Sequence, residues 1–279
     1  MSKSIWRMGA SCNLTNDMAE KIFAECKRCG IAAVEMSIKY NMQGMEYVKE
    51  VFSGIDFEKI KRLSRQSGVE LWSYHLPFDH AEVNPASLDG EVRRRTVELD
   101  KQMIAAASDM GMKMVVLHAS GEPIDDRDRA ESMKCAKESI FLLSEEAKKD
   151  GITLAVENLP RTCLGKDSAE ILELIAADDA IGVCFDVNHL LTESHKDFVN
   201  AVGSRISTLH ISDYDFVDER HWVPGRGKID WNELVMLLSD IGYEGPFMNE
   251  VNIVLEGEKT EQNVSFSELK KANDIILCR

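Results

Sequence analysis

Apolar and polar positions along this chain follow a long-period pattern that recurs eight times: a short apolar run, a polar stretch, then an amphipathic segment usually closed by glycine. The apolar runs begin near Trp6, Ile31, Val69, Met114, Ile152, Ile181, Ile206 and Pro246. Successive starts lie 25, 38, 45, 38, 29, 25 and 40 residues apart, and each interval is long enough for a strand and a crossover helix. The intervening segments carry helical periodicity. Met133, Ala136, Ile140, Leu143 and Ala147 step by three and four residues along one face. Asp167 with Glu170, Asp230 with Glu233, and Ser265 with Glu268 have capping-box spacing. Gly30, Gly68, Gly111, Gly151 and Gly242 stand where a left-handed residue ends a helix.

Eight strand–helix units without an intervening linker predict an α/β protein, a single (β/α)8 TIM barrel domain over residues 1–279. A doubly wound open sheet is the alternative. It favours a glycine-rich first turn, and Gly9-Ala10-Ser11-Cys12 is not one. The stretch from Met36 to Gly54 is long for a strand–helix loop and carries Tyr40, Met42, Met45, Tyr47 and Phe52. It reads equally as a lid over the mouth and as a surface excursion or subunit contact, so a homo-oligomer is compatible with it.

Composition narrows the partners. With 44% hydrophobic and 29% charged residues, 6 Pro and 17 Gly, the chain is neither disordered nor fibrous. Its net charge of −15 opposes nucleic acid and anionic lipid, and no block of five Lys or Arg offsets it. The first residues lack the apolar run of a signal peptide, and no stretch approaches a membrane span, so a cytoplasmic protein is expected. The seven cysteines then read as reduced thiols. Cys26 and Cys29 have C-x-x-C spacing but fall near a helix C-terminus, where the dipole disfavours a thiolate.

In a barrel the reactive groups stand at the C-terminal ends of the strands. Those ends carry His75, His118, Glu157, Asp186 with His189, His210 with Asp213, and Glu250, and the loop after the seventh strand holds Glu219, Arg220 and His221. Any single one of these is an ordinary hydrogen-bonded polar group. Together they are not. Glu157, Asp186 and Glu250 each end an apolar strand and point into a shared mouth, where three carboxylates would repel one another without a cation. A divalent ion with His210 as fourth ligand resolves the repulsion. Three oxygens and one nitrogen suit Mn²⁺, Mg²⁺ or Co²⁺, with Zn²⁺ as a further option. His75 and His118 are expected to face the substrate beside Glu157.

The order Glu157, Asp186-x-x-His189, His210, the Pro224-Gly225-x-Gly227-x-x-Asp230-Trp231 turn and Glu250 resembles the xylose isomerase-like sugar epimerases and isomerases. This superfamily of TIM barrels includes ketose 3-epimerases, inosose dehydratase and isomerase, and hydroxypyruvate isomerase. The resemblance spans essentially the whole chain. It implies a small-molecule sugar or sugar phosphate as substrate, with Glu157, Asp186, His210 and Glu250 as metal ligands. It also implies that Glu157 and Glu250 form the acid–base pair and that His189 and Arg220 contact the substrate; His221, beside Arg220, joins the substrate-facing group. The expected reaction is proton transfer next to a carbonyl through a metal-bound enediolate.

Other classes compete. The same histidines and carboxylates, with Glu219-Arg220-His221, also resemble the three-metal site of endonuclease IV, an AP endonuclease that carries Asp where this chain has Glu219. An inosose dehydratase-type lyase uses the same parts, and a non-catalytic binding barrel is the third class. A Schiff-base aldolase lacks its lysine, since Lys113 lies at the wrong end of its strand and Lys39 and Lys166 sit in loops. No Gly-x-Ser-x-Gly elbow is present. Gly225-Arg226-Gly227 reads as a turn rather than as a phosphate site.

Overall fold

The computed structural model describes residues 6–39, 43–255, 257 and 263–278. Its eight main strands are β1 (Met8–Cys12), β2 (Ala33–Ser37), β3 (Glu70–His75), β4 (Met114–His118), β5 (Thr153–Glu157), β6 (Gly182–Asp186), β7 (Ile206–His210) and β8 (Phe247–Asn249). Each begins within two residues of an apolar run. They form a parallel sheet in the order β7-β6-β5-β4-β3-β2-β1-β8, a nearly closed (β/α)8 barrel. Its ends meet through an isolated bridge between Ile211 and Asn249. There the Ile211 amide donates to the Met248 carbonyl at 2.8 Å and the Glu250 amide to the Ile211 carbonyl at 3.0 Å.

The helices are α1 (Ala19–Cys29), α2 (Met45–Ser53), α3 (Phe57–Ser67), α4 (Gly90–Asp109), α5 (Arg129–Lys149), α6 (Ser168–Leu174), α7 (His195–Val202), α8 (Trp231–Asp240) and α9 (Phe266–Ile276). Two short strands, β9 (Ile253–Val254) and β10 (Val264–Ser265), pair just before α9. The stripe Met133, Ala136, Ile140, Leu143 and Ala147 is buried along α5. Asp167, Asp230 and Ser265 cap their helices through the backbone amide three residues on, with the reciprocal Glu268 contact at Ser265. The five helix-ending glycines all take positive φ. Cys26 and Cys29 are buried in the last turn of α1; a bond with Cys12 and burial push the Cys26 thiol far up.

Between Met36 and Gly54 the chain is more regular than expected. Residues Met45–Ser53 form α2, and Met45 and Val48 are in the core because they fall one turn apart. Phe52 packs on Phe57 at 5.5 Å between ring centroids. Tyr40 and Met42 lie outside the described residues. Among the described residues no helix is long and apolar enough to cross a membrane.

Inside the barrel, Met114, Val116, Ala155 and Cys184 pack with Trp72 and plug its lower half. Two register shifts aim the side chains above this plug. Val34 pairs with Leu71 but Glu35 with Ser73, and Val183 with Ile206 but Cys184 with Thr208. Trp72 and Ser207 are the extra residues, and beyond these bulges Ser73, His75, Thr208 and His210 alternate on the inner face. Gly182 is required opposite the second bulge, since a Cβ there would overlap the Ser207 hydroxyl.

Candidate active site

His75, His118, Glu157, Asp186 and His210 are the last residues of β3 to β7, and Glu250 follows β8. Strand register sets them at one level: His118 pairs with Glu157 and Asp186 with His210. Glu157, Asp186, His210 and Glu250 present ligand atoms that all lie within 4.8 Å of one another. The Nδ1 of His210 is 3.1 Å from Glu157 Oε1, 3.3 Å from Glu250 Oε2 and 4.0 Å from Asp186 Oδ2.

Local hydrogen bonds fix the direction of each carboxylate. Asp186 accepts from the Asn188 amide at 2.6 Å through Oδ1, while its Oδ2 is buried without a hydrogen bond. The Asn158 side chain brackets the Asp186 backbone, accepting from its amide at 2.8 Å and donating to its carbonyl at 2.9 Å. Glu157 Oε2 is likewise buried without a hydrogen bond. His118 Nε2 and His75 Nε2 stand 3.2 and 3.3 Å from it, but neither is aligned to donate. Two buried carboxylate oxygens without donors are costly, and they belong to a group of four residues whose ligand atoms lie within 4.8 Å of one another. That is the geometry a cation satisfies.

The histidines are set by their other nitrogens. Nδ1 of His75 lies 2.8 Å from the Leu76 carbonyl, that of His189 2.9 Å from the Asn158 carbonyl, and that of His221 3.2 Å from the Glu250 carbonyl. A carbonyl only accepts, so each Nδ1 carries a proton and each Nε2 is turned toward the carboxylates. His189 Nε2 is 3.2 Å from Glu219 Oε2 and 3.5 Å from Asp186 Oδ2. Two further groups, His75 with His118 and Glu157, and His189 with Glu219 and His221, are as tightly clustered as the first four.

These contacts separate the acidities of the three carboxyls. Burial opposes ionisation of Glu157, but His210 and His118 outweigh it and hold the carboxyl well below the usual range. Glu250 is lowered in the same way, burial being overcome by His210. Asp186 goes the other way: burial, only partly offset by His189, raises it to about 7. Burial also opposes the charged forms of His75 and His189. The nearby Glu157 carboxylate nonetheless lifts His75 to about 9, and Asp186 and Glu219 lift His189 to about 10.

His75, His118, Glu157, His189, His221 and Glu250 all line one cleft of about 500 Å³. A second cavity of about 520 Å³ adjoins it at Ser37, Lys39, His221 and Glu250. Arg220 is not brought to this cleft. Its Nε donates to Asp215 at 3.1 Å and its guanidinium lies over the Trp222 ring. The arginine at the mouth is Arg161, which pairs with Glu122, Asp218 and Glu219; no motif in the sequence marks it. Phe78, stacked on His118 at 4.1 Å, forms an aromatic wall. Glu35 also joins the site without a motif to mark it, although Ala33-Val34-Glu35 on β2 repeats the Ala155-Val156-Glu157 run on β5.

Residues 23–268 match the family described as a xylose isomerase-like TIM barrel. An uncharacterized protein of Methanocaldococcus jannaschii is 27% identical over 243 residues, covering 83% of this chain and 82% of its own. The fructoselysine 3-epimerase of Shigella flexneri is 24% identical, over 67% of this chain and 70% of its own. Among solved structures, a D-tagatose 3-epimerase-like protein superposes with a TM-score of 0.77 at 26% identity, covering 97% of this chain and 95% of its own. An L-ribulose 3-epimerase superposes with a TM-score of 0.76 at 19% identity, covering 98% of this chain and 93% of its own.

Proposed function

The chain belongs to the xylose isomerase-like TIM barrel family, and from that premise we propose that it is a metal-dependent sugar epimerase or isomerase that moves a proton on the carbon beside a ketose carbonyl. The observation that carries this reading is the pair Glu157 and Glu250, held on different strands with Asp186 and His210 in one tight group. The donor set fits a divalent ion of the Mn²⁺, Mg²⁺ or Co²⁺ kind, which Glu157, Asp186, His210 and Glu250 would hold. When bound, such an ion would polarise the substrate carbonyl and acidify the neighbouring C–H. Glu157 and Glu250, both held ionised by His210, address the substrate from two sides. One carboxylate takes the proton from the carbon and becomes the acid, and the other, having first taken up a proton from solvent, returns it to the opposite face. His75, His118 and His189 turn their Nε2 atoms into the cleft, where substrate hydroxyls are oriented. The tagatose- and fructoselysine-type 3-epimerases among its relatives support a ketose as substrate.

The test is solvent exchange. Incubation in D₂O with a panel of ketoses, inososes and their phosphates should place deuterium on the carbon beside the carbonyl of the true substrate.

One observation favours a second reading, a multi-metal phosphoesterase of the endonuclease IV type: further His–carboxylate groups, His75 with His118 and Glu157 and His189 with Glu219 and His221, accompany the first. Against it stand the net charge of −15 and an Arg161 already shared among three carboxylates. Metal stoichiometry separates the two, one ion per chain for the epimerase and up to three for the phosphoesterase. Nicking of abasic DNA without deuterium incorporation into any ketose would replace the first reading by the second.

A further inference from the structure

We propose that Glu35 is a positioning residue that decides which nitrogen of His210 faces the ion site. The inference rests on the metal reading above. Glu35 lies inside β2 and is fully buried. Its Oε1 is 3.0 Å from His210 Nε2, and its Oε2 accepts from the Ser73 hydroxyl at 2.8 Å. The bulge at Trp72 is what sets Ser73 opposite Glu35 in the register.

His210 supplies the nitrogen of the four-group site, and its Nδ1 faces Glu157, Glu250 and Asp186. A neutral imidazole has one N–H, and a carboxylate can only accept. Carboxylates stand at both ring nitrogens, Glu157 Oε1 lying 3.1 Å from Nδ1; once an ion takes up Glu157 and the Nδ1 lone pair, the one remaining proton belongs on Nε2, where Glu35 accepts it. His75, His189 and His221 show the opposite orientation, each with Nδ1 held by a backbone carbonyl and Nε2 turned toward a carboxylate. His210 is turned over relative to them, and a side chain does the turning. A carboxylate behind a ligating imidazole also raises its basicity, and the loss of such a partner weakens metal binding about 10–100-fold.

Glu35→Gln tests this in the full-length chain. An amide facing His210 either presents its NH₂, which drives the imidazole proton to Nδ1 and blocks the ion, or presents a neutral oxygen, which holds the Nε2 proton less strongly. Calorimetric titration with Mn²⁺ should show affinity about 10–100-fold below wild type. In the Zn²⁺-loaded wild type, ¹⁵N-edited spectra should find the His210 ring proton on Nε2 and far downfield, and Glu35→Gln should move it upfield. Ser73→Ala keeps the carboxylate but frees it to turn. It should weaken Mn²⁺ by a smaller factor, and it decides the matter should Glu35→Gln not fold. Unchanged Mn²⁺ affinity in the folded variants, or a His210 proton on Nδ1 in the loaded wild type, overturns the inference and leaves the metal reading intact. A wild type that takes up no divalent ion overturns both.

Discussion

Asp100 lies within α4 with both carboxylate oxygens buried and without a hydrogen-bond partner. Burial alone raises its pKa well above the normal value. The folded chain therefore holds the Asp100 proton more tightly than the unfolded chain. Its penalty is absent below the unfolded pKa of about 4 and grows as pH rises toward the folded value. Asp100→Asn should raise Tm at pH 7–8, by about 2–4 °C for each kcal/mol recovered, with the gain shrinking near pH 4; a Tm that falls at neutral pH would refute the account. At the mouth, Glu157→Gln and Glu250→Gln should each lower turnover by several orders of magnitude, since each direction of exchange needs one base and one acid. Glu157→Gln should also lower bound metal by elemental analysis. The four-group set was legible in sequence because a carboxylate or imidazole closing an apolar strand has few places to go but the mouth. Glu35 was not, since its partner depends on a bulge one strand away, and Arg161 was not, since a loop's path is set by the ion pairs it makes.

The loop between β7 and α8 is organised by one carboxylate. Asp213 accepts from the amides of Tyr214, Gly225 and Ile229 and from the Trp231 indole, at 2.8 to 3.2 Å. These bonds hold both ends of the segment that carries Glu219 and His221. Gly227 runs against this knot so closely that a Cβ would overlap Asp213 and the Tyr214 backbone. Gly227→Ala should therefore cost about 1–3 kcal/mol, read as a lower Tm, a shift in tryptophan emission and faster proteolysis between β7 and α8. An unchanged Tm and emission would mean the loop repacks freely. The Pro224-Gly225-x-Gly227 spacing announced a turn in the sequence, but not that Asp213 was its anchor. Strand and helix positions were readable from periodicity to within a few residues. The helix α2 was not, because its apolar face is only two core residues wide.

For the molecule as a whole, an ion held by four strand ends should stabilise the fold it joins. At 100 times its Kd, a divalent ion contributes about 2.7 kcal/mol, or about 5–11 °C in Tm at this chain's size, and EDTA should reverse the gain. The barrel itself was legible because eight repeats of one pattern admit few closed arrangements, whereas where it closes was not. That closure lies between β7 and β8, joined at the isolated Ile211–Asn249 bridge. His210 stands on one side and Glu250 on the other, 3.3 Å apart. If those two hold the proposed ion, any excursion that parts the two strands also parts two of its four ligands, so barrel opening would release the ion. The lifetime of a bound ion should then be no longer than the interval between such openings, and hydrogen exchange at the Ile211 and Glu250 amides would time them.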